Sequence, residues 1–134
     1  MNFENNYTKI EFDAFPSVKI IVKDHSPTDV EFGEFMAAMK ETYANKKNRI
    51  VLFDLVNAKN VPFGNQISFA KWSKEMEPNF EIYLKGVTFH VGNNVIKTIL
   101  KSIFFLQKPN YEFKVFTKIS EVETHQEMLK RRVL

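Results

Sequence analysis

Residues 49–65 read RIVLFDLVNAKNVPFGN. Ile50 to Phe53 are four consecutive apolar residues. That is the pattern of a strand covered on both faces, because neither side of its pleat then meets water. Asp54 closes the run, and Asn57, Asn60, Pro62 and Gly64 mark a turn. An amphipathic segment begins at Gln66. The stretch is therefore expected to form a central parallel strand at 50–55, a loop at its carboxyl end and a helix.

Upstream, Ile10 and Phe12 alternate with Lys9 and Glu11, and Val18, Ile20 and Val22 alternate with Lys19 and Lys23. A short Pro-containing break, Asp13 to Ser17, separates the runs, which predicts an antiparallel hairpin. Ser26 as cap, Pro27 at the first helical position and Asp29 as the capping-box acid predict a helix start. Val30, Phe32, Phe35, Met36, Met39 and Tyr43 give that helix an apolar stripe, and 45–48 end it. Core packing is the stronger reading of this stripe over a docking face.

Downstream, Ile67, Phe69, Ala70, Trp72, Ser73 and Met76 form the inner face of a second helix, which Pro78 is expected to end. Val87 to Val91 reads as a strand, and Gly92-Asn93-Asn94 as a turn with an N-cap. Val95, Ile96, Ile99, Leu100, Ile103 and Phe104 recur at helical spacing up to Pro109-Asn110. Tyr111, Phe113 and Val115 alternate as a last strand. Ser120 with Glu123 reads as a capping box, and Val122, Met128 and Leu129 line the last helix. Helices are thus expected near 27–45, 66–77, 94–107 and 120–131. The order is β-β-α-β-α-β-α-β-α, an α/β domain with a mostly parallel mixed sheet and an N-terminal antiparallel hairpin.

The chain has 134 residues, which predicts a single domain spanning 1–134. Hydrophobic residues make up 44%, with 14 Phe against 4 Gly, so aromatic bulk must fill much of the core. With no Cys, disulfides, thiolate chemistry and cysteine-ligated zinc are excluded. The opening MNFENNYTKI lacks the basic and apolar regions of a secretory signal. No apolar run approaches the roughly 20 residues that span a bilayer. A soluble cytoplasmic protein without a membrane span is the expectation. The net charge is +3, but 19 basic residues are interspersed with 16 acidic ones. The basic clusters at 46–49 and 130–132 lie near predicted helix ends, where cations complement the dipole, so no nucleic-acid partner is expected.

A leading hairpin, alternating strand–helix units and a central strand Val51-Leu52-Phe53-Asp54-Leu55 ending in Asp-Leu resemble the STAS domain. This is the SpoIIAA-like fold of the bacterial anti-sigma factor antagonists, and the resemblance runs from about Tyr7 to Leu129. CRAL-TRIO lipid-binding domains are similar more remotely. The resemblance implies a regulatory domain that binds a protein. Phosphorylatable STAS antagonists carry an Asp-Ser-Ser-Gly-type motif between this strand and the next helix, and its serine is the switch. Here Val61-Pro62-Phe63-Gly64-Asn65 takes that place. Gly64 matches the family glycine, Phe63 stands where serine would, and Ser68 is the nearest hydroxyl, one turn into the helix. The resemblance thus implies an interaction domain without the kinase-operated switch.

No residue pattern announces a reaction. His25, His90 and His125 are far apart and none has a second ligand at metal spacing. Asp54 has the place of a carboxylate base at a strand end, but a hydrogen bond to the following loop is the stronger reading. The expectation is a non-enzymatic protein without metal or cofactor. The loop from Asn57 to Asn65 lies where open α/β sheets tend to bind ligands, beside free N–H groups of the next helix. Asn57, Asn60, Phe63, Gly64, Asn65 and Ser68 are the candidate partner-binding residues, and Asp54, Asn93 and Asn94 weaker candidates for a ligand. For the Asn residues, caps and turn formers are the stronger reading. An interaction domain with a protein partner is the leading reading. A carrier of a small apolar ligand, with a Phe-lined cavity, is the alternative. A homodimer is left open.

Overall fold

The computed structural model describes residues 2–58, 66–106 and 111–133. Its elements are β1 (Asn2–Glu4), β2 (Thr8–Ala14), β3 (Ser17–Val22), α1 (Asp29–Thr42), β4 (Arg49–Leu55), α2 (Gln66–Tyr83), β5 (Leu84–Val91), α3 (Asn94–Leu106), β6 (Phe113–Phe116) and α4 (Ile119–Val133). The strands form one sheet in sequence order. β1, β2 and β3 pair antiparallel, and β3 through β6 pair parallel. The expected strand at 50–55 is interior, between β3 and β5. The short strand β1 extends the expected hairpin to three antiparallel strands.

Pairing register sorts the side chains into two faces. Val51 lies beside Val18 and Val87, and Phe53 beside Ile20 and Phe89. Successive parallel strands step one place in the same direction, so right-handed crossovers put α1, α2 and α3 on one side. There Phe35, Trp72 and Leu100 join Ile10, Ile20, Val51, Phe89 and Val115 in one core. We call this face A. Ile50, Leu52, Thr88, His90 and Lys114 point the other way, onto face B. There α4 lays Val122, His125 and Leu129 over β4, β5 and β6. Gly86 lets the two elements approach closely at that crossing: a Cβ would stand 2.5 Å from Leu129 Cδ2, so the leucine would have to shift.

Local chemistry moves several expected boundaries. The cap of α1 is Thr28, not Ser26. Glu31 N donates to Thr28 Oγ1 at 3.1 Å while Glu31 Oε1 accepts from Thr28 N at 2.9 Å. Glu reaches back to the cap, which the shorter Asp29 does less readily. Pro78 lies inside α2 and does not end it. Trp72, Met76, Phe80 and Tyr83 continue one stripe across the proline into the core. Their burial outweighs the roughly 3 kcal/mol that an interior proline costs. α4 begins at Ile119, so Ser120 is a helical residue and its expected capping box is not the start of the helix. The expected stop at Pro109-Asn110 lies outside the described residues.

Arg49 is 1% exposed, although it closes a basic cluster. α1 ends in a 3-10 turn at Tyr43–Asn45, after which Lys46 is left-handed with φ 54°. That reversal brings Asn45 Oδ1 and the Lys47 carbonyl to 2.9 and 3.1 Å from Arg49 Nη2, with Thr42 Oγ1 3.0 Å from Nη1. The guanidinium lies 3.8 Å from the Tyr43 ring centroid. It binds helix-end acceptors, as cations at helix C-termini do. Burial pulls its pKa below the usual arginine value, against the Tyr43 and Tyr83 hydroxyls, which raise it.

Candidate functional site

Parallel strands share a direction, so the carboxyl ends of β3, β4, β5 and β6 form one rim. The chain leaves each strand there and turns into a helix. Val30 and Val95 are the second residues of α1 and α3, Ile119 the first of α4, and Val56 directly follows β4. All four are exposed, at 72%, 68%, 56% and 40%. Among the described residues the other large exposed aliphatic is Ile82, near the far end of α2. Val30 and Val95, expected on inner stripes, are therefore outside. They sit in the first helical turn, which emerges at the rim beyond the strand ends.

The loops that carry these residues are tied by backbone. Asp54 Oδ1 accepts from Val56 N at 3.1 Å, and Ala58 N donates to the Leu55 carbonyl at 3.2 Å. The half-buried Asp54 carboxylate thus holds the turn after β4, and Asn57 is exposed on that turn. Asn93 Oδ1 accepts from Ile96 N at 3.0 Å and caps α3, while the exposed Asn94 opens the helix. Gly92 lies against the neighbouring loop: a Cβ there would be 2.8 Å from the Val56 carbonyl oxygen. The β4 and β5 loops therefore touch, and bring Asp54, Val56 and Asn57 beside Asn93, Asn94 and Val95.

Asn60, Phe63, Gly64 and Asn65 lie outside the described residues. Ser68 is helical in α2. His90 pairs in register with Asp54 across β4 and β5 on face B. Among the described residues, no three His, Asp or Glu side chains gather to hold a metal ion. No helix among them is long and apolar enough to cross a membrane.

Among the described residues, one apolar space lies between face A and the helices, and it is small. Phe35, Tyr43, Phe53, Trp72, Phe89 and Tyr111 enclose about 50 Å³. That holds one or two waters by volume and is far below the roughly 300–1,000 Å³ of ligand pockets. Phe53 is half-buried at this space, stacked on Phe89 at 5.4 Å, and not fully buried as a central apolar run predicts.

Face B carries a buried polar cluster that no local sequence pattern signals. Thr88 Oγ1 lies 2.6 Å from His125 Nδ1 and 2.7 Å from Gln126 Nε2, which also reaches the Val51 carbonyl at 3.4 Å. These residues are brought together from positions 37 and 38 apart. Their only sequence hint is the polar pair His125-Gln126 between Val122 and Leu129 on the inner face of α4.

No family model matches the sequence, and no curated protein matches it. A solved structure does: the crystal structure of an uncharacterized DUF3478-family protein from Shewanella loihica PV-4, which has a SpoIIAA-like fold. The likeness covers 91% of this chain and 97% of that one, with a TM-score of 0.60 and 13% identity. Six strands in sequence order with an antiparallel start, and that likeness, make this chain an α/β domain of SpoIIAA-like fold, as its STAS-like pattern implies.

Proposed function

We propose that the domain is a non-enzymatic, STAS-like interaction module whose protein partner docks on the carboxyl rim of the parallel strands. The observation that carries this reading is that Val30, Val56, Val95 and Ile119, all exposed, follow the carboxyl ends of the four parallel strands, at one edge of the sheet. Exposed aliphatics gathered in one place mark interaction sites more often than scattered ones do. The Asn57 to Asn65 loop leaves the same rim, so Asn57, Asn60, Phe63, Gly64, Asn65 and Ser68 belong to the proposed surface, with Phe63 as its anchor. Asp54, Asn93 and Asn94 act as loop ties and caps. The partner binds without a serine switch, because Phe63 and Asn65 cannot take phosphate. The apolar space behind Phe53, among the described residues, gives no support to a carrier function.

Affinity capture from the native host tests the reading with four baits. The wild type and the Ile82→Asp control should retain a common protein that Val56→Asp/Val95→Asp and Phe63→Asp lose, with unchanged circular dichroism. Retention by the rim variants sinks the docking site. Intact-mass analysis of protein from the native host should show no phosphate on Ser68; a phosphorylated Ser68 restores the usual switch.

A further inference from the structure

His125 is 4% exposed and lies midway along α4. Its hydrogen bonding can be assigned from its neighbours. The Val51 carbonyl only accepts, so the Gln126 amide presents its nitrogen to both Val51 and Thr88. The Thr88 oxygen accepts that hydrogen, and its own hydroxyl hydrogen goes to His125 Nδ1 at 2.6 Å. Nδ1 is then the acceptor and Nε2 carries the ring proton. Nε2 is buried without a hydrogen-bond partner, 4.0 Å from Glu112 Oε1. Glu112 in turn pairs with Arg132 near the end of α4.

A second proton on the ring would land on Nδ1 and place two hydrogens between it and the Thr88 oxygen. The Thr88 hydroxyl, fully buried, would have to turn away, and no other acceptor for it is seen among the described residues. An orphaned buried donor is destabilising, because it has given up water without gaining a partner. The charged groups around the ring do not rescue the cation as a set. Glu112, ahead of β6, favours it, while Lys114 of β6 and Arg132 of α4 oppose it. Glu121 lies one helical turn away across an open groove, and His90 lies two residues from Thr88 on the same face of β5. Burial outweighs the rest and holds the His125 pKa below its ordinary value of 6.5.

We propose that α4 is an acid-released cover of the sheet: one proton taken up by His125 breaks its bond to Thr88 and shifts α4 from docked to detached, baring Ile50, Leu52 and Thr88 while α1, α2 and α3 stay packed. The helix suits this role. It docks through three buried side chains, Val122, His125 and Leu129, and it alone among the described helices packs on face B. Because no other described helix shares that face, α4 can open as a unit of its own without disturbing the packing of face A. Detached, His125 titrates near 6.5. Each pH unit below about 6.5 therefore raises the opening constant up to about tenfold, until the docked form also takes the proton.

Amide hydrogen exchange at pH 7.5 and 5.5, expressed as protection factors, tests the proposal. Amides of 122–130 should lose about tenfold protection at the lower pH, while those of β4 keep theirs. His125→Gln, which keeps an acceptor but no titration, should remove the pH step. Protection of α4 independent of pH, an equal loss in α4 and β4, or a step that survives in His125→Gln overturns it. Should the variant not fold, histidine NMR titration of the wild type decides. His125 must titrate below 6.5, with the α4 amide shifts following its titration, and titration at or above 6.5 overturns the cover.

Discussion

On face A three helices bring Phe35, Trp72 and Leu100 against Ile20, Val51 and Phe89, while on face B one helix brings His125 and Gln126 against Thr88. The two seals obey different physics. Apolar contact is non-directional, so face A accepts an imperfect fit and even leaves about 50 Å³ unfilled. Hydrogen bonds are directional and depend on which atom carries the proton, so face B is sensitive to protonation state in a way face A is not. Within one sheet, then, stability and responsiveness fall on opposite sides.

The largest effect expected from breaking this contrast is on face A. Phe35 is fully buried and meets the Tyr7 ring edge-on at 5.8 Å. Phe35→Ala should cost about 3–5 kcal/mol, read as a shift in the urea midpoint at constant m-value. Phe53→Ala should cost less, about 2 kcal/mol, because the ring is half-buried and already borders unfilled space. Equal losses at the two positions would mean that face A is packed to the same density throughout.

The next effect belongs to face B. Gly86→Ala would set a methyl 2.5 Å from Leu129 Cδ2, and Leu129 is fully buried, so its side chain must shift within a packed site. Overpacking of this kind costs about 1–3 kcal/mol. The loss should concentrate in α4: hydrogen exchange there should speed up more than in β4. A loss shared evenly by all elements would show that α4 does not open as a separate unit.

How much of this was legible follows from the same contrast. The central strand was readable because Ile50 to Phe53 is one uninterrupted apolar run, and the helices of face A because their stripes repeat locally. The extension of α2 past Pro78 was not, since it depends on Phe80 and Tyr83 finding the core. β1 was missed because three residues with one half-buried Phe3 carry no periodicity. The polar seal was invisible because Thr88 and His125 meet only after β5, β6 and α4 are assembled. At the rim, Asp54 and Asn57 mark the turn that directly follows β4, whereas Val30 and Val95 fall on apolar stripes in the sequence and yet lie outside. Helical spacing says which side of a helix is apolar; it does not say where along its length the sheet beneath it ends.

The smallest effect comes from the opposite kind of glycine. Gly33 lies in the interior of α1, and a Cβ built there meets nothing within 4 Å. Its φ is not in the left-handed region, where a side chain would be strained. The outward side of α1 thus has room for a methyl, whereas the crossing of β5 and α4 has none. Glycine in a helix interior costs about 0.5–1 kcal/mol relative to alanine, chiefly because the unfolded chain has more conformations to lose. Gly33→Ala should therefore stabilise the domain by about 0.5–1 kcal/mol, raising the melting temperature by a few degrees for a domain of this size. The gain should leave the pH step in α4 protection unchanged, because it acts on face A alone. A destabilised Gly33→Ala would mean that something packs on the outer side of α1, and the division of this sheet into a sealed face and a responsive one would need a third surface.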